Sequence, residues 1–167
     1  MRSDVYIEDL LAPNYDALLE DVLAHKHSQY MLKGGRGSLK SSFTGFVIPL
    51  IMLEHPDVNA LILRKTAKTL RDSVFGQMQF AIDKLGLSDE FTCRVSPMQI
   101  KREKTGQVIL FRGLDDPMKI KSIKAPPRLL WRDMVRGSRP VLRHEGNPFR
   151  AAIRKTRRRP VLELYDV

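Results

Sequence analysis

Eight consecutive residues, Gly34-Gly35-Arg36-Gly37-Ser38-Leu39-Lys40-Ser41, have the types and the order that bind nucleotide phosphates. They fit G-x-x-x-x-G-K-[ST] (the Walker A pattern) at every fixed position except one, where Leu39 replaces the second glycine. Glycines let successive backbone N–H groups turn inward around phosphate oxygens, because they tolerate left-handed dihedrals. A helix that starts at such a loop aims its positive end at the same anion. Lys40 is then placed to reach the β- and γ-phosphates, and the Ser41 hydroxyl to join a Mg²⁺ shell. Arg36 carries a charge that suits phosphate and equally suits solvent. A glycine-rich turn with a chance lysine explains the same residues. Leucine is admissible at position 39 if its backbone stays near the helical region and its side chain finds room.

The elements around the loop favour the phosphate reading. Ser28–Lys33 is a short apolar run that reads as a strand, and the loop follows it at once. Ser41–Glu54 is apolar nearly all round and reads as a buried helix, with Pro49 as a candidate kink. Upstream, Tyr15–Ala24 has helical spacing after Pro13-Asn14; downstream, Asn59–Arg64 reads as a buried strand. A long helix over Ala67–Leu85 ends at Gly86, with Leu70, Val74, Met78, Phe80 and Ile82 near one side. Strands are expected at Phe91–Val95, Met98–Arg102 and Gln107–Arg112, the last two joined by a Lys104-Thr105-Gly106 hairpin turn. This order predicts an α/β domain with a largely parallel sheet and a β-hairpin. A right-handed crossover through the 41–54 helix is the expected link from the first strand to the 59–64 strand.

Composition narrows the class. At 167 residues, 43% hydrophobic and 29% charged, the chain is about one globular domain. No run approaches a membrane span, and the N-terminus has no apolar signal core, so an intracellular protein in the host cytoplasm is expected. The single Cys93 excludes a cysteine-cluster zinc site, and four scattered histidines argue against a His-rich one. The net charge of +10 is uneven. Residues 128–167 hold 11 Lys+Arg, 10 of them Arg, against 4 acids, whereas residues 1–127 hold 18 against 15. Such a tail is a solvated terminus, a nucleic-acid arm, or a sign that the two parts have different origins.

Three stretches carry a resemblance to a known family: YMLKGGRGSLKSSF (30–43), ALILRKTAKTLRDSVFGQMQFAIDKLGL (60–87) and GQVILFRGLDDPMKIKSIK (106–124). In this order they resemble the large terminase subunit of tailed phages and prophages, PBSX type, the motor that packages DNA into a procapsid. The resemblance implies a partial P-loop NTPase domain of ASCE type over residues 1–127, with ATP and Mg²⁺ as cofactors. Carried over by position, Gly34, Gly35, Arg36, Gly37, Ser38, Leu39, Lys40, Ser41 and Ser42 form the ATP-phosphate loop, with Ser41 on the metal. Arg64-Lys65 matches a pair the family commonly has after this strand, and is assigned to coupling or charge contacts; a surface strand end is the other reading. Gly113-Leu114-Asp115-Asp116 matches the loop after the hairpin, where a turn explains the acids better than a metal site. Double-stranded DNA, a portal protein and a small terminase subunit are the implied partners.

The resemblance stops where chemistry would need it next. A motor of this class requires an apolar strand closed by Asp-Glu or Glu-Glu, one acid for Mg²⁺ and one to activate water. After Lys124 comes Ala125-Pro126-Pro127 and then the arginine-rich segment, expected to be irregular or helical. Asp133 is the nearest acid, but Arg132 and Met134-Val135-Arg136 spoil the pattern, so no catalytic residue is assigned. Back-translation of Leu130–Ser138 with permitted codons, read one base later, gives Cys-Gly-Val-Thr-Trp-Tyr-Glu-Glu. Continuing through Ile153 permits Val-Asp-Gln-Phe-Cys-Gly-Met-Lys-Glu-Ile-Arg-Ser-Val-Leu-Gln. Residues 128–167 are therefore expected to be a non-native reading frame, with a naturally evolved basic tail as the alternative. Without the water-activating acid and the nuclease domain of such subunits, ATPase activity is expected to be weak or absent. A small basic nucleic-acid-binding protein is the alternative function. A small P-loop kinase is disfavoured, since no lid or substrate constellation is visible.

Overall fold

In a computed structural model of the chain, residues 6–35, 37–123, 127–133 and 162–166 are described. Seven strands form one sheet: Gln29–Leu32 (β1), Ala60–Arg64 (β2), Phe91–Val95 (β3), Met98–Arg102 (β4), Val108–Gly113 (β5), Leu129–Asp133 (β6) and Leu162–Asp166 (β7). Their order is β1-β7-β6-β2-β5-β4-β3. The pairs from β1 to β5 are parallel, and β5-β4-β3 is antiparallel. The helices are Asp16–Leu23 (α1), Lys40–Glu54 (α2), Gly76–Lys84 (α3) and Pro117–Lys121 (α4). No helix among the described residues is long and apolar enough to cross a membrane.

The expected mixed α/β class and largely parallel sheet with a hairpin are what the chain adopts. Four successive side chains of β2 are buried, which only a strand covered on both faces achieves. Ala60 and Ile62 join a large core with α2 and α3, while Leu61 and Leu63 join a smaller one with Leu110, Leu130 and Ile120 of α4. Ile109 and Phe111 of β5 and Leu129 and Trp131 of β6 alternate in the same way with Leu110 and Leu130.

The expected crossover from the strand of residues 28–33 through α2 to that of 59–64 is present, and β7 and β6 lie between the two strands it joins. Two expectations change. Part of the segment expected to be irregular or helical is strand: Leu129-Leu130-Trp131 is an apolar run that fills the free edge of β2, and β7 fills the gap to β1. The long helix over 67–85 is broken into a 3₁₀ turn (Ala67–Thr69), a π turn (Arg71–Phe75) and α3. The Phe75 N–H reaches Leu70 O at 3.0 Å, and the widened turn puts both Val74 and Phe75 into the core. Phe80 is half-exposed instead, edge-on to Phe46.

Pro49 lies inside α2 without ending it. Its missing N–H leaves the Gly45 carbonyl without the usual intrahelical donor. Gly45 itself faces α3, where a Cβ would stand 3.3 Å from the Gln77 side chain and 3.7 Å from Ala81 Cβ. The other end of α2 is held by the hairpin. Arg102 of β4, 7% exposed, donates from its Nη1 to Met52 O (3.2 Å) and the Gln107 amide oxygen (3.3 Å), and from Nε and Nη2 to Glu90 (3.0 and 2.9 Å). A cation at a helix C-terminus also meets the negative end of its dipole.

Arg102→Ala leaves a partly buried carboxylate and two acceptors without this donor, and is expected to cost about 3 kcal/mol in urea unfolding. Lys101→Ala, which breaks only the exposed pair with Glu103, is expected to leave the midpoint unchanged. Trp131 is the sole tryptophan and fully buried, so its emission red-shift reports the transition directly. Equal midpoints for the two variants would refute the role given to Arg102.

Candidate functional site

The glycine-rich loop leaves the C-terminal end of β1 and runs into α2, at the sheet edge where five parallel strands end. Ligands of α/β sheets gather at such edges. Gly34, Gly35 and Gly37 are exposed, and Gly37 has φ +83°. A Cβ on Gly34 would lie 2.8 Å from Ser38 Oγ and 3.1 Å from Ser38 Cβ, so a side chain there would displace the Ser38 hydroxyl from its place in the loop. Lys40 Nζ folds back over the loop, donating to Gly34 O (2.9 Å), Gly35 O (3.3 Å) and Ser38 Oγ (2.9 Å). Ser38 Oγ donates in turn to Gly35 O at 2.8 Å. Ser41 and Ser42 stand in the first turn of the 15-residue α2, half-buried beside the loop. A cleft of about 460 Å³ opens alongside, lined by Asn14, Tyr15, Met31, Lys33, Ser38 and Lys40 among others.

Leu39 departs from expectation. Its backbone is at φ 58°, ψ 17°, in the left-handed region rather than the right-handed helical one. The chain therefore keeps the backbone conformation suited to the glycine of the Walker pattern and imposes it on a leucine, at a steric cost of about 1–2 kcal/mol. Room for the side chain is found outward, where it is 51% exposed. Leu39 is also the residue before α2, and its carbonyl accepts the first helical bond from Phe43 N at 2.9 Å.

Of the residues assigned to the loop, those from Gly34 to Ser42 are brought together, with Arg36 outside the described residues. Arg64 and Lys65 are not among them. Arg64 ends β2 at the same sheet edge and Lys65 follows it, but β7 and β6 intervene, so the strand ends are about 14 Å apart at three inter-strand spacings. Asp115 and Asp116 have local tasks, as the turn reading expects. The Asp115 carboxylate accepts from Ala67 N (3.1 and 3.2 Å), and Asp116 caps α4 through Lys119 N (3.3 Å). Hydrogen bonds from Lys119 hold the Asp116 carboxyl below its usual range. Gly113 cannot carry a side chain, since a Cβ would meet Asp115 Oδ1 at 2.0 Å and Ala67 N at 2.5 Å. Position 133 ends β6 opposite Arg64 in β2 and Asp166 in β7.

Two features had no legible spacing signal. Tyr15 stacks on Phe43 (4.8 Å, 18°) and donates its hydroxyl to Ser38 O, so the segment ahead of β1 supports the loop from behind. The histidines, expected to be scattered, include a pair in contact: His25 Nε2 and His55 Nε2 are 2.8 Å apart, and donor atoms of His25, Glu54 and His55 all lie within 4.8 Å of one another. Thirty residues separate the two rings in sequence, and only the Glu54-His55 adjacency hints at a cluster.

A family model described as phage terminase large subunit matches residues 26–133. The chain is 38% identical over 121 residues to "Terminase, large subunit" of Bacillus phage SPP1, covering 72% of this chain and 28% of that protein. It is 38% identical over 105 residues to "PBSX phage terminase large subunit" of Bacillus subtilis (strain 168), covering 62% and 24%. In structure it resembles the HK97 bacteriophage large terminase, with TM-score 0.72 and 13% identity over 93% of this chain and 33% of that one. The chain thus spans about a quarter to a third of the proteins it matches.

The left-handed Leu39 gives a sharp test. Glycine relieves the steric cost and loses little burial, so Leu39→Gly is expected to unfold within about 1 kcal/mol of the parent. Leu39→Val, β-branched at the same dihedrals, is expected to be less stable by more than about 1 kcal/mol. Urea titrations of the two variants decide it, and a valine variant as stable as the parent would sink the assignment.

Proposed function

The chain belongs to the phage terminase large-subunit family, and from that premise we propose that it is the nucleotide-binding portion of a viral DNA-packaging motor. The loop–helix unit of residues 34–42 takes the ATP phosphates, and in the whole motor ATP hydrolysis drives double-stranded DNA into a procapsid. The observation that carries this reading is Lys40, whose ammonium is folded onto loop carbonyls at the mouth of an open cleft. Those carbonyl bonds are exchangeable for phosphate oxygens, a stronger charge-assisted partner. The exposed glycines and the N-terminus of α2 suit an anion, and the tight approach at Gly34 leaves backbone rather than side chain facing it. Ser41 offers the hydroxyl that would hold Mg²⁺, which when bound neutralises developing phosphate charge. Arg64 and Lys65, across the same sheet edge, are assigned to coupling rather than to phosphate contact. A portal protein and a small terminase subunit are the partners of the whole assembly. The family match, which includes the loop and ends at residue 133, lends nothing to an isolated basic nucleic-acid-binding protein.

We further infer that residues from about 127 onward are read from a shifted frame. The switch from lysine to arginine and the acid-ended strand recovered one base later support it. With no acid pair closing the strand that ends Arg132-Asp133, nucleotide binding outlasts efficient hydrolysis. The nucleotide sequence from codon 120 onward decides the point. An alternative frame that opens into an acid-ended strand supports the shift, and one that closes quickly in stops refutes it.

Binding is tested by titrating a fluorescent ATP analogue with Mg²⁺ into the chain and into Lys40→Ala. Loss of a charged hydrogen-bond donor worth about 1.5–3 kcal/mol is expected to weaken binding roughly 10- to 100-fold. Equal affinities would overturn the assignment of the loop.

A further inference from the structure

We propose that His25, Glu54 and His55 form a binding site for one divalent transition-metal ion, with Zn²⁺ the best fit, at the end of α2 remote from the phosphate loop. α2 has 15 residues, so the two ends are about 22 Å apart, and this site is separate from any Mg²⁺ at Ser41. The donor set is two imidazoles and one carboxylate. That combination suits Zn²⁺, Co²⁺, Ni²⁺ and Cu²⁺ rather than Mg²⁺ or Ca²⁺, which take oxygen ligands.

The geometry is already close to coordination. The two Nε2 atoms face each other at 2.8 Å. Tetrahedral Zn²⁺ with bonds of about 2.0–2.1 Å would hold them about 3.3 Å apart, so the rings need separate by only about half an ångström. Glu54, next in sequence to His55 and exposed at the last position of α2, has its carboxylate within the same 4.8 Å. Its exposure leaves the site open to incoming ions, and water can complete the shell.

The surrounding structure holds both rings in place. His55 follows α2 with its carbonyl accepting from Gln107 Nε2 at 2.8 Å, and Gln107 is itself buried and bonded to Arg102 and Thr105. His25 sits just beyond α1 at φ 51°, a left-handed conformation uncommon for a residue with a side chain. Its N–H is fixed to Val22 O at 3.1 Å, and its Nδ1 is buried without a hydrogen bond, so the contact between the two Nε2 atoms orients the ring. Without an ion that contact is satisfied only when one imidazole donates a proton to the other. With an ion both lone pairs have the same acceptor, and α1 is clipped to α2.

The test uses the full chain, Zn²⁺ as the probe, and competition with a chromophoric zinc indicator. One equivalent is expected to bind, and the unfolding temperature followed by Trp131 emission is expected to rise with it. His55→Ala and His25→Asn, the latter chosen because asparagine tolerates positive φ, are each expected to weaken binding at least about tenfold, since losing a ligand costs no less than losing its supporting partner. Glu54→Gln keeps shape and exposure, guards against a folding artefact, and is expected to weaken binding as well. Zn²⁺ affinity and thermal shift equal to the parent's in the two histidine variants would overturn the site, as would no stoichiometric binding by the parent. The pair would then be a proton-sharing contact only.

Discussion

The strand Ala60–Arg64 must be covered on two faces and paired on two edges, and the placement of nearly everything else follows from that. Its side chains feed opposite cores in strict alternation, which commits α2 and α3 to one side and α4 to the other. Its edges commit β5 and β6 as parallel neighbours. Asn59 anchors the entry of all three, its side-chain oxygen accepting from Val108 N and its carbonyl from Leu129 N. Once α2 is fixed on that face, its N-terminus presents the glycine loop at the C-terminal edge of the sheet. The slot beside β2 needs three apolar residues in extended form, and Leu129-Leu130-Trp131 meets that need. The Val-Thr-Trp-Tyr run obtained by reading one base later is also β-prone, so β-propensity does not distinguish the two frames at this slot.

The antiparallel end of the sheet works on α2 from the opposite direction. Arg102 and Gln107, neighbours across the hairpin turn, donate to the carbonyls of Met52, His55 and Val58, at and beyond the last turn of the helix. A hairpin that looks peripheral in sequence is thus the C-terminal cap of the helix whose N-terminus forms the candidate site.

Much of this was legible because it depends on local pattern. The apolar runs of β1, β2 and the hairpin, the helix after the loop and the turn role of Asp115-Asp116 all follow from periodicity and turn chemistry. The departures have tertiary causes. Nothing local says that Leu39 is held left-handed, because closure of the loop under Lys40 and Tyr15 decides it. The π turn at Arg71–Phe75 answers the need to bury both Val74 and Phe75, which an unbroken helix would splay. The contact of His25 with His55 depends on where α1 ends against α2, and a composition argument from four scattered histidines cannot see it. Proximity in space, not spacing in sequence, made the difference in each.

Tyr15 joins two parts of the molecule that the chain order keeps apart. Its ring lies flat on Phe43 inside the helix base, while its hydroxyl holds the Ser38 carbonyl in the loop itself. The loop therefore has a mechanical backrest supplied by the polypeptide ahead of the first strand. The Tyr15 hydroxyl thus meets the loop directly at the carbonyl of the peptide between Ser38 and Leu39. On the proposal that this loop takes nucleotide phosphates, Tyr15 ties the shape of their cradle to the segment that precedes β1.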